Sequence, residues 1–442
     1  MKFSKLALGT TLGLAAANPV KEALAKRGAV TLTSTITTSC DPSTKSTETA
    51  WSTSTETVES LSTYTRTIPD TAEPSSDACG TIDQYGLYKN PNAHKPKVMI
   101  VSMFGYESIT TWYNNMEFVH NITVPGLSPL FPWVHCTADY EVCQFITGES
   151  EINAAATVTA ITLSPLFDLS ETYFLIGGIA GGEPTLTTLG SVTFAEYAVQ
   201  VALEHQIDSK EVLPKYNWTT GYFPYDAADP LAFPEEWYGT EIFRVNPVLR
   251  DRAFDLASTA ELANGTDGNA EFRALYDYAP ANELPGVVKC DVLTSDTYWT
   301  GDILSFYFGN LTQVMTNGSA TYCSTAQEDN ATLESMMRAH LFGLVDYSRI
   351  IIMRTISDFA RAPPSLENDT VHFFNEVSQG GSKVAVENIY RAGKPIVDDI
   401  LLNWDELYGV GAFATNEYLG DVFGTLGGTP TFGAGAISMP EA

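Results

Sequence analysis

Apolar residues gather in short unbroken runs at Val98–Met103, Tyr173–Ile176, Val287–Leu293 and Ile350–Met353. Runs this short, with many β-branched side chains, predict strands buried on both faces, because a half-exposed strand would alternate and a helix would run longer. Between and after them, Ile152–Leu163, Ala331–Leu344 and Val377–Leu402 carry the helical spacing of apolar residues. Strands alternating with helices predict an α/β layered sheet. The pattern begins after Pro96, so the folded domain is expected over residues 96–442. Within it, Tyr216–Pro285 is rich in Pro, Tyr and acids and weak in periodicity, and reads as an insertion on the surface. No internal repeat and no second domain boundary is visible.

The N-terminus has a different texture. Lys2 and Lys5 precede an apolar run, Leu6–Ala17, that ends in small residues, which predicts a secretory signal over residues 1–17. The dibasic pair Lys26-Arg27 predicts a second cut that would release residues 18–27 as a pro-peptide. Ser and Thr dominate Thr31–Thr67 with few aliphatic residues, so residues 28–95 are expected to form a disordered, O-glycosylated stalk, a linker without sugar being the plain alternative. Seven N-x-Ser/Thr sequons, at Asn121, Asn217, Asn264, Asn310, Asn317, Asn330 and Asn368, fit an extracellular glycoprotein. The expected location is therefore outside the cell, secreted or held at the surface or wall.

Six cysteines fall as Cys40 and Cys79, Cys136 and Cys143, and Cys290 and Cys323. An oxidising compartment favours structural disulfides, with the pairing open. Zinc has no Cys-x-x-Cys and no helical His pair to bind, so neither a metal nor a cofactor is expected.

Charge narrows the partners. The 442 residues hold 24 Lys and Arg against 53 Asp and Glu, a net charge of −29, which repels phosphate backbones and argues against nucleic acid. Beyond the N-terminus no apolar stretch approaches the roughly 18 residues of a membrane span.

Familiar motifs are missing: there is no G-x-x-x-x-G-K-S/T loop and no G-x-S-x-G elbow. Gly409-Val410-Gly411-Ala412-Phe413-Ala414 fits G-x-G-x-x-A but follows a predicted helix, so it reads as a glycine turn. Ile176-Gly177-Gly178-Ile179-Ala180-Gly181-Gly182 is better placed, at the C-terminal end of a predicted strand, where open α/β sheets bind ligands. A plain turn is its alternative.

Four segments in chain order resemble the nucleoside phosphorylase and nucleosidase superfamily, and within it the fungal family called purine nucleoside permeases. They are Ile100–Glu107, Thr147–Ala156, Thr294–Tyr298 and Arg354–Ala360; the run from Asn121 through Pro129-Leu130-Phe131-Pro132 to Cys136 resembles the fungal family more closely still. The resemblance implies a three-layer α/β fold with a central mixed sheet flanked by helices. It also implies Glu107 as activator of the attacking water, Asp358 as the acid that protonates the purine and Tyr298 as its stacking partner. Gly148, Ala180, Gly181 and Ser357 would line the substrate. The sugar contact falls in Gln327–Thr332, where Asn330 takes the register of the usual Glu and Glu328 and Asp329 are rivals; Asn330 is also a sequon, and a glycan there is incompatible with a buried contact.

The chemistry stands beside the resemblance. Cleaving a purine N-glycosidic bond needs an acid for the base, a base for water and carboxylates near a cationic sugar. Asp358 follows an apolar strand, where low dielectric raises a carboxyl pKa, and capping the next segment is its structural alternative. Glu107 sits just after the first strand and could deprotonate water, its alternative being a helix N-terminal acid that complements the dipole. Tyr298 and its neighbour Trp299 could equally be core aromatics. No Arg occurs between Lys97 and Arg244, which disfavours phosphate binding and phosphorolysis. The expectation is hydrolysis of purine nucleosides to base and ribose. The alternatives are a non-catalytic nucleoside binder that serves a separate transporter, and a surface glycoprotein whose pocket has decayed. The chain could also form a homo-oligomer.

Overall fold

The computed structural model describes residues 81–234, 236–366, 368–421, 424–426 and the backbone of 436–437. The signal, the pro-peptide, most of the stalk, and Cys40 and Cys79 lie outside the described residues. The remaining cysteines pair as Cys136–Cys143 and Cys290–Cys323.

Thirteen strands form one sheet: β1 (Val98–Ser102), β2 (His120–Thr123), β3 (Trp133–Cys136), β4 (Val142–Ile146), β5 (Tyr173–Gly182), β6 (Val192–Ala195), β7 (Tyr197–Gln200), β8 (Ile242–Arg244), β9 (Val287–Lys289), β10 (Asp291–Thr294), β11 (Tyr322–Ala326), β12 (Ile350–Phe359) and β13 (Gly420–Asp421). Its main order is β13-β8-β7-β10-β11-β5-β1-β4-β3-β2, with β12 pairing β5 and β6, and β9 pairing β6. Strand β1 is parallel to β4 and β5, and β5 to β12, whereas β2–β3, β3–β4 and β7–β8 are antiparallel. The main helices are α1 (Glu151–Thr162), α2 (Pro247–Ala257), α3 (Asp302–Met315), α4 (Asp329–Leu341), α5 (Thr370–Glu376) and α6 (Gly381–Leu402).

Two-sided burial explains the unbroken apolar runs. Met99, Val101, Phe174, Ile176, Ile350 and Ile352 join one core cluster, together with Val158 of α1 and Leu333 and Met336 of α4. The intervening Val98, Ile100, Tyr173, Leu175, Ile351 and Met353 join a second cluster, with Ile389 and Ile396 of α6 and Leu249 of α2. Alternate residues thus feed opposite faces, and each buried aliphatic side chain contributes about 1.5–3 kcal/mol by leaving water. The result is the mixed sheet flanked by helices on both faces that the sequence predicts.

Several boundaries differ from expectation. Hydrogen-bonded structure begins before Pro96: Thr81–Ile82 pairs with Tyr88–Lys89, and His94 bridges Phe167, so this part of the expected stalk belongs to the fold. The expected surface insertion contains β8, an internal strand with Ile242 and Phe243 buried, and α2, which packs on α6. Three residues are too few to show a period. The run Val287–Leu293 splits at the bridged Cys290 into β9 and β10, which pair with different neighbours. The glycine run after Ile176 is the second half of β5, not a turn. Gly409–Ala414 lies in turns after α6, with Gly411 at φ +70°.

Candidate active site

A cavity of about 640 Å³ opens where β1, β5, β10, β11 and β12 end. Carboxylates enter it from four segments: Glu107 after β1, Glu149 before α1, Glu328 before α4, and Asp358 on β12. Arg354 is the one Lys or Arg that lines it.

Glu107 stands in a short helical segment, Gly105–Glu107, and is 1% exposed. One carboxylate oxygen accepts from the Met103 amide at 2.9 Å and the other from the Ile179 amide at 2.6 Å. Burial pushes its pKa up to about 7, against the opposing pull of Arg354 and the two amides. A carboxyl held near neutrality, oriented by main-chain donors, suits proton exchange with water. Gly178 makes this approach possible: a Cβ there would lie 2.8 Å from Glu107 Oε1 and 2.7 Å from both Arg354 Nη1 and Met103 Sδ.

Arg354, in the middle of β12 and 2% exposed, ties this corner together. Its guanidinium pairs with Asp329 at 2.9 Å and Glu328 at 3.2 Å, and donates to the Ile179 carbonyl at 3.3 Å. Burial alone would lower its pKa; Asp329, Glu328 and Glu107 more than restore it. Glu328 also accepts from the Ser150 amide at 3.0 Å, and burial raises its pKa. Ser150 adopts φ +79°, a conformation costly for a residue with a Cβ, next to Gly148 at φ +84°. Together they set Glu149 on the cavity wall.

Asp358 lies within β12, one residue from its C-terminal end. Strand β12 runs on to Phe359, and its register on β5 jumps from Ile356↔Ala180 to Asp358↔Gly181, leaving Ser357 as an extra residue. This β-bulge lets the consecutive Ser357 and Asp358 both face the cavity, which regular alternation forbids. The Ser357 hydroxyl lies 2.6 Å from Asp358 Oδ1 and 3.0 Å from the Ala180 carbonyl, and its single proton serves one acceptor at a time. Surrounding protein raises the Asp358 pKa while the serine opposes the rise, yet the carboxyl remains open to the cavity. Ala180 and Gly181 supply the neighbouring wall, where a Cβ on Gly181 would meet Thr325 Oγ1 at 2.5 Å. Gln379, just before α6, braces the bulge by accepting from the Phe359 amide at 2.7 Å.

Tyr298 lies at the rim, 75% exposed, whereas Trp299 packs against Phe308 with ring centroids 4.8 Å apart. Both line the cavity, and Tyr298 is the more exposed of the two.

The structure gathers Glu107, Ala180, Gly181, Tyr298, Glu328, Ser357 and Asp358 around one cavity. It does not bring Gly148, Asp329 or Asn330 to the lining. Gly148 is a loop residue at φ +84°, and Asp329 is a fully buried counter-ion of Arg354. Asn330 points away: it accepts from the Thr294 hydroxyl at 2.7 Å and donates to the Thr240 and Glu241 carbonyls. Every polar atom of its amide is engaged, which leaves nothing for a sugar, and Asn330 is the one sequon asparagine that is buried. Sequence reasoning passed over Arg354, Gly178 and Gln379. The arginine lies in the quoted Arg354–Ala360 segment, and a lone Arg inside an apolar strand is itself the signal of a buried ion pair.

Comparison with known proteins places the chain. Residues 95–412 match the purine nucleoside permease (NUP) family. A purine nucleoside permease of Candida albicans is 57% identical over 350 residues, covering 78% of this chain and 85% of the relative. A probable purine nucleoside permease of Schizosaccharomyces pombe is 39% identical over 336 residues, covering 73% of this chain and 93% of the relative. Among solved structures, the futalosine hydrolase of Helicobacter pylori is similar at 14% identity and a TM-score of 0.41, covering 69% of this chain and 98% of that one. With most of its length matched by the family and by relatives at this identity, the chain belongs to the purine nucleoside permease family.

Proposed function

We propose that the cavity binds purine nucleosides and hydrolyses the N-glycosidic bond to base and ribose without phosphate. The observation that carries this reading is the charge of the lining: four carboxylates against one arginine whose guanidinium is already held by Asp329 and Glu328. Such a field favours an oxocarbenium-like sugar and offers phosphate no free cation. In this reading the purine stacks on Tyr298 and Asp358 passes a proton to a base nitrogen as the C1′–N bond breaks. Glu328 holds the sugar hydroxyls, and Glu107 takes a proton from the water that bonds to C1′. Export of the chain remains part of the proposal and rests on Lys2, Lys5 and the run Leu6–Ala17.

A second reading, binding and delivery without cleavage, is favoured by the name its relatives carry. No helix among the described residues is long and apolar enough to cross a membrane, so delivery would go to a separate transporter. Incubating the purified chain with a nucleoside panel, with and without phosphate, separates the readings by chromatography. Free base and ribose in equal yield under both conditions is expected. Ribose 1-phosphate formed only with phosphate would overturn hydrolysis, and retention without base release would favour the binder.

A further inference from the structure

The ring at the rim and the acids belong together. Tyr298 is 75% exposed and lines the cavity together with Glu149, Glu328 and Asp358. Arg354 offsets Glu328, its ion-pair partner, which leaves Glu149 and Asp358 beside an exposed aromatic ring, an arrangement that holds a cation by stacking and by charge. Glu149 stands on the cavity wall between Gly148 and Ser150, both at positive φ, although no step of purine cleavage requires Glu149.

We infer that the cavity also takes ribosides of a permanently cationic heteroaromatic base, of the pyridinium type, and cleaves them with Asp358 ionised. The inference rests on reading the cavity as an N-glycosidase site. As water oxygen bonds to C1′, the C1′–N bond breaks and its electron pair passes to the ring nitrogen, cancelling the positive charge. Glu107 takes the proton from water. The base leaves neutral, so no proton from Asp358 is needed, and its carboxylate serves as counter-ion in place of acid.

The test uses the full chain in phosphate-free buffer with three ligands: 3-carbamoylpyridinium riboside, its neutral dihydropyridine form of nearly the same shape, and adenosine. The pyridinium riboside is expected to bind about tenfold or more tightly than the dihydropyridine at low salt, with the gap closing at high salt. Glu149→Gln should narrow the same gap. Asp358→Asn should lower adenosine cleavage on the order of a hundredfold or more and pyridinium cleavage by less than about tenfold. Equal affinity for the charged and neutral ligands, or equal losses in Asp358→Asn, overturns the inference. Cleavage of adenosine with no binding of the pyridinium riboside overturns it while leaving purine hydrolysis intact. Selective pyridinium binding with no cleavage of either riboside overturns hydrolysis for both.

Discussion

Glu107, Arg354 and Glu328 are 1%, 2% and 4% exposed, whereas Tyr298 and Phe374, which line the same cavity, are 75% and 56% exposed. The first group is cross-tied by ion pairs and main-chain amides, so its charges stand in place before any ligand arrives. The second group offers surfaces that a ligand can reach and leave. Asp358 belongs to both, surrounded by protein yet open to the cavity. The contrast separates two tasks: the buried corner holds a field that need not reorganise during reaction, and the rim governs capture and release.

The largest test of this division is Asp358→Asn, which keeps the shape and removes the transferable proton. Turnover of purine nucleosides should fall on the order of 100- to 10,000-fold, about 3–5 kcal/mol of barrier, with the melting temperature near wild type. Steady-state kinetics and a thermal melt check both halves.

Arg354→Met strikes the buried corner. It leaves Asp329 and Glu328 without their cation, and breaking a buried pair from one side costs about 3–5 kcal/mol. Denaturant unfolding should show the loss; a stability within about 1 kcal/mol of wild type would mean that the corner relaxes and is not preset.

Glu107 gives a pH signature. Its folded pKa of about 7 stands above the ordinary 4.5, so below 4.5 both folded and unfolded chains hold the proton, and between 4.5 and 7 the unfolded chain releases it first. This group's stabilising contribution is present below pH 4.5, falls through that window by roughly 3 kcal/mol, and is flat above 7. The decline should be shallower by about that amount in Glu107→Gln, read as unfolding free energy at several pH values.

The smallest effect belongs to the rim. Tyr298→Ala should weaken nucleoside binding roughly tenfold and leave unfolding free energy within about 0.5 kcal/mol of wild type. A large stability loss there would erase the distinction between the two regions.

The sequence made the central strands legible because burial on both faces leaves runs such as Val98–Met103 and Ile350–Met353 without polar interruption. Strand β8 stayed hidden because three residues carry no period, and the end of β5 because its glycines look like a turn when their neighbours are unseen. What fills the space at Gly178 and Gly181 comes from Glu107, Met103, Arg354 and Thr325, remote in sequence. The sugar-side candidates Glu328, Asp329 and Asn330 are consecutive at the start of α4, where each step turns about 100° around the axis. Their composition could not decide which faces the cavity; the register of α4 does. The bulge at Ser357 was likewise invisible, since it exists only relative to β5.

The burial of Asn330 also bears on how the chain is made. Asn330 is 3% exposed and Thr332 is 0% exposed, so an oligosaccharide has no place on this sequon once α4 has docked. In a chain that meets the glycosylation machinery, transfer to Asn330 has to come before docking, and a chain so modified could not close the contacts to Thr240, Glu241 and Thr294. The other six sequon asparagines are exposed and compatible with sugar after folding. Occupancy at Asn330 is therefore a clock: it reports how often sugar transfer outruns the docking of α4, and it should be found on misfolded chains and be absent from folded ones.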